Sequence, residues 1–271
     1  MARGLYDLCL CDDGAGDTDD NIPADLYYAC LNGTFDNDAD GIYGEPTDGE
    51  NGGEVDLLAE VYIGRAPVDS VVEVNNFVRK TLAYEDSTDT HLGNNYMVGE
   101  YLGFGGPVQY AAASMEEIRL GTSEHGFTTQ GFISNPDRAM DANTLYDSDI
   151  NSWSANELTD IMNNGVHIIN HLGHSSATYN MKLQNKDVDA LYNGKYFIVY
   201  SQGCYPAAFD NRDFDGNYLT SDCIAEHFVT SSAGAVAFIG NSRYGWGEAL
   251  TTAGSGQYYN GTVAKCHFLS S

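Results

Sequence analysis

Basic residues are scarce in this sequence: 12 Lys and Arg stand against 39 Asp and Glu, a formal charge of −27. Binding to nucleic-acid phosphates is driven mainly by positive charge, so a DNA or RNA groove is excluded. No run approaches the roughly 18 consecutive apolar residues of a membrane-spanning helix. The opening MARGLYDLCLCDDGAGDTDD turns acidic almost at once and lacks the pattern of a signal peptide. Its first apolar segment, Leu5 to Leu10, reads as a strand, so the expectation is a fragment without its leader and earliest elements. Six cysteines (Cys9, Cys11, Cys30, Cys204, Cys223 and Cys266) are too few for a dense disulfide framework in 271 residues. No C-x-x-C pair occurs, which argues against a Cys-rich structural zinc site. Internal repeats are absent as well.

What is present is enough apolar residue, 42% of the chain, to bury a substantial core. Strands are expected at Val61–Ala66, Asn95–Leu102, Val166–Asn170, Tyr196–Ser201 and Gly234–Gly240. The last three are short continuous apolar runs, as in strands buried on both faces of a parallel sheet. Ser70 with Glu73 forms a capping box ahead of Val74, Phe77, Val78 and Leu82. Ser154 with Glu157 does the same ahead of Leu158, Ile161 and Met162, with Gly165 as the stop. Ser221 and Asp222 open a third helix through Cys223, Ile224 and Phe228. This alternation predicts an α/β fold with a mostly parallel sheet flanked by helices. Acidic, Gly-rich loops gather before residue 56, and the expected division is a partial N-terminal lobe over 1–90 and a catalytic domain over 91–271.

Two segments carry chemistry. Val166-His-Ile-Ile-Asn-His-Leu-Gly-His174 is a buried strand running into a His- and Gly-containing loop, and Tyr196-Phe-Ile-Val-Tyr-Ser-Gln-Gly-Cys204 is a second strand running into a loop with Cys. The residues between them suffice for one right-handed crossover, which would set the strands parallel. Both loops then leave the same carboxyl edge of the sheet, where open α/β sheets bind ligands. A thiol beside an imidazole is the minimum apparatus for covalent acyl transfer. Read separately, a cysteine after a strand is ordinary filler and a lone histidine an ordinary core residue. His171 and His174 also form H-x-x-H, which Cys204 could complete as a zinc site, but the spacing is not the i, i+4 of zinc helices, and His171 reads better as a packing residue or a support for the site.

The stretches NHLGHSS, YSQGCYPAAFD and DCIAEHFVTSSAGAVAFIGNSRYGWG resemble the catalytic block of gingipain-type cysteine peptidases, family C25, and NIPADLYYACLNGTFDNDADGIYGE and EVYIGRAPVDS resemble the segment before that block. The resemblance runs from about Asn21 to Trp246 and implies a caspase-like fold and a secreted or cell-surface cysteine endopeptidase. It implies Cys204 as nucleophile, His174 as general base, and an oxyanion hole from the main-chain N–H groups of Ser175 and Cys204. Ser175 departs from the Gly that gingipains carry directly after the catalytic His; main-chain donation survives that change, so its cost is steric. An upstream carboxylate, Glu117 or its rival Glu116, is expected to orient His174. Peptide or protein substrates, a monomeric enzyme and a preference for Arg or Lys before the cut are further expectations.

The acidic excess has two compatible readings, a solvated surface and a calcium site. Asp36-Asn-Asp-Ala-Asp-Gly41 carries oxygen ligands at alternate positions followed by Gly, as calcium loops do. Asp36, Asp38, Asp40 and Glu45 are the expected ligands, although Thr47 stands where an EF-hand has Glu; the bland reading is a solvated Asx turn. Asp213-Phe-Asp215-Gly-Asn217 is a weaker candidate that reads more readily as a turn. From another class, the rival to the peptidase is a catalytically silent, calcium-stabilised binding or surface module, and a zinc hydrolase comes third.

Overall fold

In the computed structural model the described residues are 23, 25–41, 43, 60–123, 128–134, 141–213 and 215–245. In chain order the helices are α1 (Leu26–Ala29), α2 (Val71–Glu85), α3 (Ala112–Leu120), α4 (Ala155–Asn164), α5 (Asn185–Asp189) and α6 (Ile224–Thr230). The strands are β1 (Asn94–Gly99), β2 (Asp141–Tyr146), β3 (Ile168–Leu172), β4 (Ser175–Ser176), β5 (Tyr179–Asn180), β6 (Leu183–Gln184), β7 (Phe197–Ser201) and β8 (Ala235–Gly240). Five strands form one sheet in the order β2-β1-β3-β7-β8, every neighbouring pair parallel. The short β4, β5 and β6 make a separate antiparallel sheet inside the crossover from β3 to β7.

Core packing follows from the period-2 alternation of strand side chains. Val98, Ile169, Phe197, Val199 and Ala235 face one way, against Leu158 and Met162 of α4 and Ile224 and Phe228 of α6. Met97 and Leu172 face the other way, against Ala111 and Met115 at α3. Helices therefore cover both faces of a parallel sheet, the expected α/β architecture. The two expected capping boxes form at Ser70–Glu73 and Ser154–Glu157, and Gly165 ends α4 at φ 113°.

Two expectations need correction, and one strand was not foreseen. The segment Val61–Ala66 is irregular, with Tyr62 fully exposed. An apolar run becomes a strand only where a neighbour takes its main-chain groups, and Val61 N instead reaches back to the Ala29 carbonyl at 3.2 Å. The strand β2 was not foreseen, because DANTLY has no continuous apolar run; as an edge strand it needs none. Most of the apolar stripe of α2 also faces outward, with Phe77 the exception. Val74, Val78 and Leu82 are exposed, while the inward face carries Asn76, Phe77 and a wholly buried Lys80.

That inversion has a polar cause. The last carbonyls of a helix lack intrahelical partners, and side chains of α2 supply donors to the end of α6 and the chain leading into β8. Lys80 Nζ donates to the carbonyls of Phe228, Ala233 and Ala235 at 2.8, 2.9 and 2.8 Å. Asn76 Nδ2 donates to Thr230 O at 3.1 Å and Arg79 to Ser232 O at 2.6 Å. We expect Lys80→Met, which keeps the stem but strands three carbonyls, to cost on the order of 3 kcal/mol. A urea titration reads this as a lowered midpoint at unchanged slope; an unmoved midpoint would show that the polar contact is dispensable.

Candidate active site

The strand order places a topological switch point between β1 and β3, because the chain leaves β1 for β2 on one side and reaches β3 on the other. Loops at such a point diverge and leave a crevice at the carboxyl edge. Glu100 follows β1 there, Gly173 and His174 follow β3, and Cys204 follows β7, the next strand over. The crossover has thus made β3 and β7 parallel neighbours, with His171 in register with Ser201.

Glu100 is almost fully buried and uses both carboxylate oxygens. Oε2 accepts from the main-chain N–H of His174 at 3.2 Å, and Oε1 is 3.1 Å from His171 Nε2. Gly173 makes this approach possible, since a Cβ at that position would lie 2.5 Å from Glu100 Cδ and from His171 Nε2. The His174 ring is exposed, and its Nε2 is 3.2 Å from the Leu102 carbonyl. A carbonyl can only accept, so Nε2 carries the hydrogen, and in the neutral ring Nδ1 is the basic nitrogen.

Asp147, after β2, fastens the same edge. It accepts from Tyr101 N at 3.0 Å and Trp153 N at 3.1 Å, and pairs with Lys182 at 2.7 Å. Burial alone would raise its pKa, but Lys182, Ser152 and the Tyr101 amide outweigh it and hold the carboxyl below its usual range.

Cys204 sits on a loop held from both sides. Gly245 N–H donates to its Sγ at 3.4 Å, and Sγ lies 3.9 Å from the Gly245 carbonyl. Asn241 Nδ2 donates to Gly203 O at 2.9 Å and Tyr205 N to Arg243 O at 2.6 Å. Arg243, wholly buried, forms a two-pronged ion pair with Asp210 at 3.0 and 2.8 Å, joining the chain after Cys204 to the chain after β8. Ser175 links the two candidate loops directly: its hydroxyl donates to the Cys204 carbonyl at 2.7 Å. The steric cost expected of Ser175 is absorbed by Gly203, whose missing Cβ would lie 2.0 Å from Ser175 Oγ.

Among the expected site residues, the structure gathers His174, Ser175 and Cys204 at one edge. Glu116 is committed elsewhere, to Arg119 and the Tyr146 hydroxyl. Glu117 lies part-buried on α3, where its carbonyl accepts from Gly121 N. The carboxylate packed against His174 is that of Glu100, which sequence reasoning missed; its signal was an acid placed directly after the buried run Tyr96–Gly99. Arg243 and Asp210 were likewise unassigned, though both lie in the motifs quoted above.

Asp36, Asp38 and Asp40 bring oxygens within 4.8 Å of one another, the one three-residue cluster of potential metal ligands among the described residues. Asp36 Oδ1 accepts from Gly41 N at 3.4 Å and Asp38 Oδ1 from Asp40 N at 3.3 Å. Glu45 lies outside the described residues, as does the segment Leu5 to Leu10. Asp213 spends its carboxylate on Asn217, at 2.7 Å to N and 3.2 Å to Nδ2, closing a turn.

Comparison with known proteins accords with the fold. The crystal structure of the Arg-specific cysteine proteinase gingipain R (RgpB) is similar over 82% of this chain and 44% of that one, with 19% identity and a TM-score of 0.54. The complex of the Porphyromonas gingivalis RgpB pro- and mature domains is similar over 82% of this chain and 45% of that one, again at 19% identity and a TM-score of 0.54. The chain thus spans less than half the length of these solved relatives, and the likeness establishes a shared fold. No match was found among curated proteins. The model of peptidase family C25 matches residues 6–269, nearly the whole sequence, and the chain belongs to that family.

Proposed function

We propose that this chain is the catalytic part of a cysteine endopeptidase with Cys204 as nucleophile and His174 as general base. The observation that carries this reading is the setting of the two residues: an imidazole whose Nε2 faces a carbonyl, and a thiol receiving an N–H bond, on loops of adjacent parallel strands tied by Ser175. Nδ1 takes the Sγ proton, and the thiolate attacks the scissile carbonyl carbon. Main-chain N–H groups of Ser175 and Cys204 receive the oxyanion. His174 returns the proton to the departing amine, leaving a thioester; water, deprotonated by His174, then hydrolyses it.

Cys204→Ala and His174→Ala should each lower peptide hydrolysis by about three orders of magnitude or more, with an unchanged melting temperature. Near-parental turnover by Cys204→Ala would sink the assignment. A thiol-reactive peptide electrophile separates an enzyme from a silent module on the same fold, because only a working pair promotes rapid labelling. Cys223 is a poor competitor for the reagent, since burial and the neighbouring Glu226 push its thiol pKa well up.

Substrate preference forms part of the proposal. The likeness to an Arg-specific proteinase and the charge of −27 both favour cationic peptides. A peptide with Arg or Lys before the scissile bond should exceed its Ala, Asn and Glu counterparts in kcat/KM. Long-range attraction fades as salt shortens the Debye length, about 8 Å at physiological strength, whereas a carboxylate within the pocket keeps its preference. A preference for Asn or a small apolar residue at both low and high salt would remove the basic-residue claim and leave the peptidase standing.

Calcium binding at the acidic loop is a separate proposal. Asp36, Asp38 and Asp40 supply hard oxygen donors of the kind calcium takes, and the ion would neutralise a loop that carries no base. Binding to the folded state alone stabilises it by about 2.7 kcal/mol at a hundredfold excess over the dissociation constant. The melting temperature should rise with calcium and fall with chelator, and Asp36→Ala with Asp40→Ala should flatten the response. A double variant that responds like the parent would place the ion elsewhere or nowhere. Action as a monomer at the cell surface or in the medium completes the proposal; no helix among the described residues is long and apolar enough to cross a membrane.

A further inference from the structure

His171 is wholly buried between the two candidate loops, and both of its ring nitrogens have partners. Glu100, as a carboxylate, can only accept, so His171 Nε2 carries a hydrogen and donates to it at 3.1 Å. In the neutral ring His171 Nδ1 is then an acceptor, and the Ser201 hydroxyl at 2.9 Å is its donor. That leaves Ser201 Oγ two lone pairs. They accept from Asn180 Nδ2 at 2.7 Å and, more loosely, from the main-chain N–H of Gly203 at 3.4 Å. The other Glu100 oxygen accepts from the main-chain N–H of His174. A continuous chain of hydrogen bonds therefore runs from the residue before Cys204 to the main chain of His174.

We propose that His171, acting through Ser201 and Glu100, is a positioning residue that fixes the Cys204 loop relative to the His174 loop. The inference rests on the Cys204–His174 reading above. His171 touches neither the thiol nor the His174 ring in this arrangement; it sets where the two peptide segments lie. Removing one member of a buried hydrogen-bonded network is costly, because its partners are left without water to replace it. A shift of about 1 Å in a reacting pair can cost on the order of a hundredfold in rate.

Ser201→Ala deletes one hydroxyl and little volume, so it disturbs the fold less than His171→Phe. Active sites are first counted by titration with a peptide electrophile, so that kcat refers to competent enzyme. Per titrated site, Ser201→Ala should lose about tenfold or more in kcat with KM nearly unchanged, and alkylation of Cys204 by iodoacetamide at neutral pH should slow in parallel. A purely structural role would lower the titrated fraction and the melting temperature, leaving kcat per site alone. If the chain acts as a unit, adding Glu100→Gln to Ser201→Ala should lose much less than the product of the single losses. A kcat per site within about twofold of the parent, or fully multiplicative losses in the double variant, would overturn the inference. Failure of the parent to be titrated at Cys204 would instead overturn the underlying reading, and the inference with it.

Discussion

A carboxylate removed from water must have its oxygens filled by donors, and Glu100 does this at the point where the sheet changes direction. Its side chain takes the His174 amide and the His171 ring, while its own N–H donates to Leu172 O at 3.0 Å and its carbonyl accepts from Ala111 N at 2.8 Å. The end of β1, the loop after β3 and the start of α3 are thereby joined through one residue. Gly173 follows as a requirement, because any side chain there would occupy the space of the carboxylate. The exposed His174 ring can project from an edge whose main chain is fixed beneath it.

The cysteine side is built from a different kind of contact. Its loop is clamped by the chain after β8 through main-chain bonds, by the Asn241 amide, and by the buried Arg243–Asp210 pair. Buried ion pairs are not a strong source of stability, yet losing one partner is costly. Here the two-pronged geometry fixes the relative position of two irregular segments that share no sheet ladder. Ser175 then bridges to the histidine side, and Gly203 leaves it room. Polar contacts among four separate segments thus tie the edge together.

Further from the edge, α2 is attached mostly by polarity. Asn76, Arg79 and Lys80 supply donors to carbonyls that the end of α6 and the turn into β8 leave open. The helix thus presents Val74, Val78 and Leu82 outward, the reverse of what its sequence pattern suggests. Periodicity identifies a helix correctly but cannot say which side is buried when long polar side chains have carbonyls to reach.

The sequence by itself determined the elements whose signals are local. Apolar runs marked β3, β7 and β8, capping boxes fixed the starts of α2 and α4, and the crossover length allowed the strands bearing His174 and Cys204 to be parallel neighbours. It also bore the resemblance that the family match supports. Only the tertiary structure decided what depends on residues far apart in the chain. Glu100 meets His174 across 74 positions, and Arg243 meets Asp210 across 33. Edge strand β2 and irregular Val61–Ala66 were misread because a strand is made by its neighbour, not by its own composition. His171 was legible as a buried residue but not as a link, since hydrogen-bond direction follows only from which atoms face which.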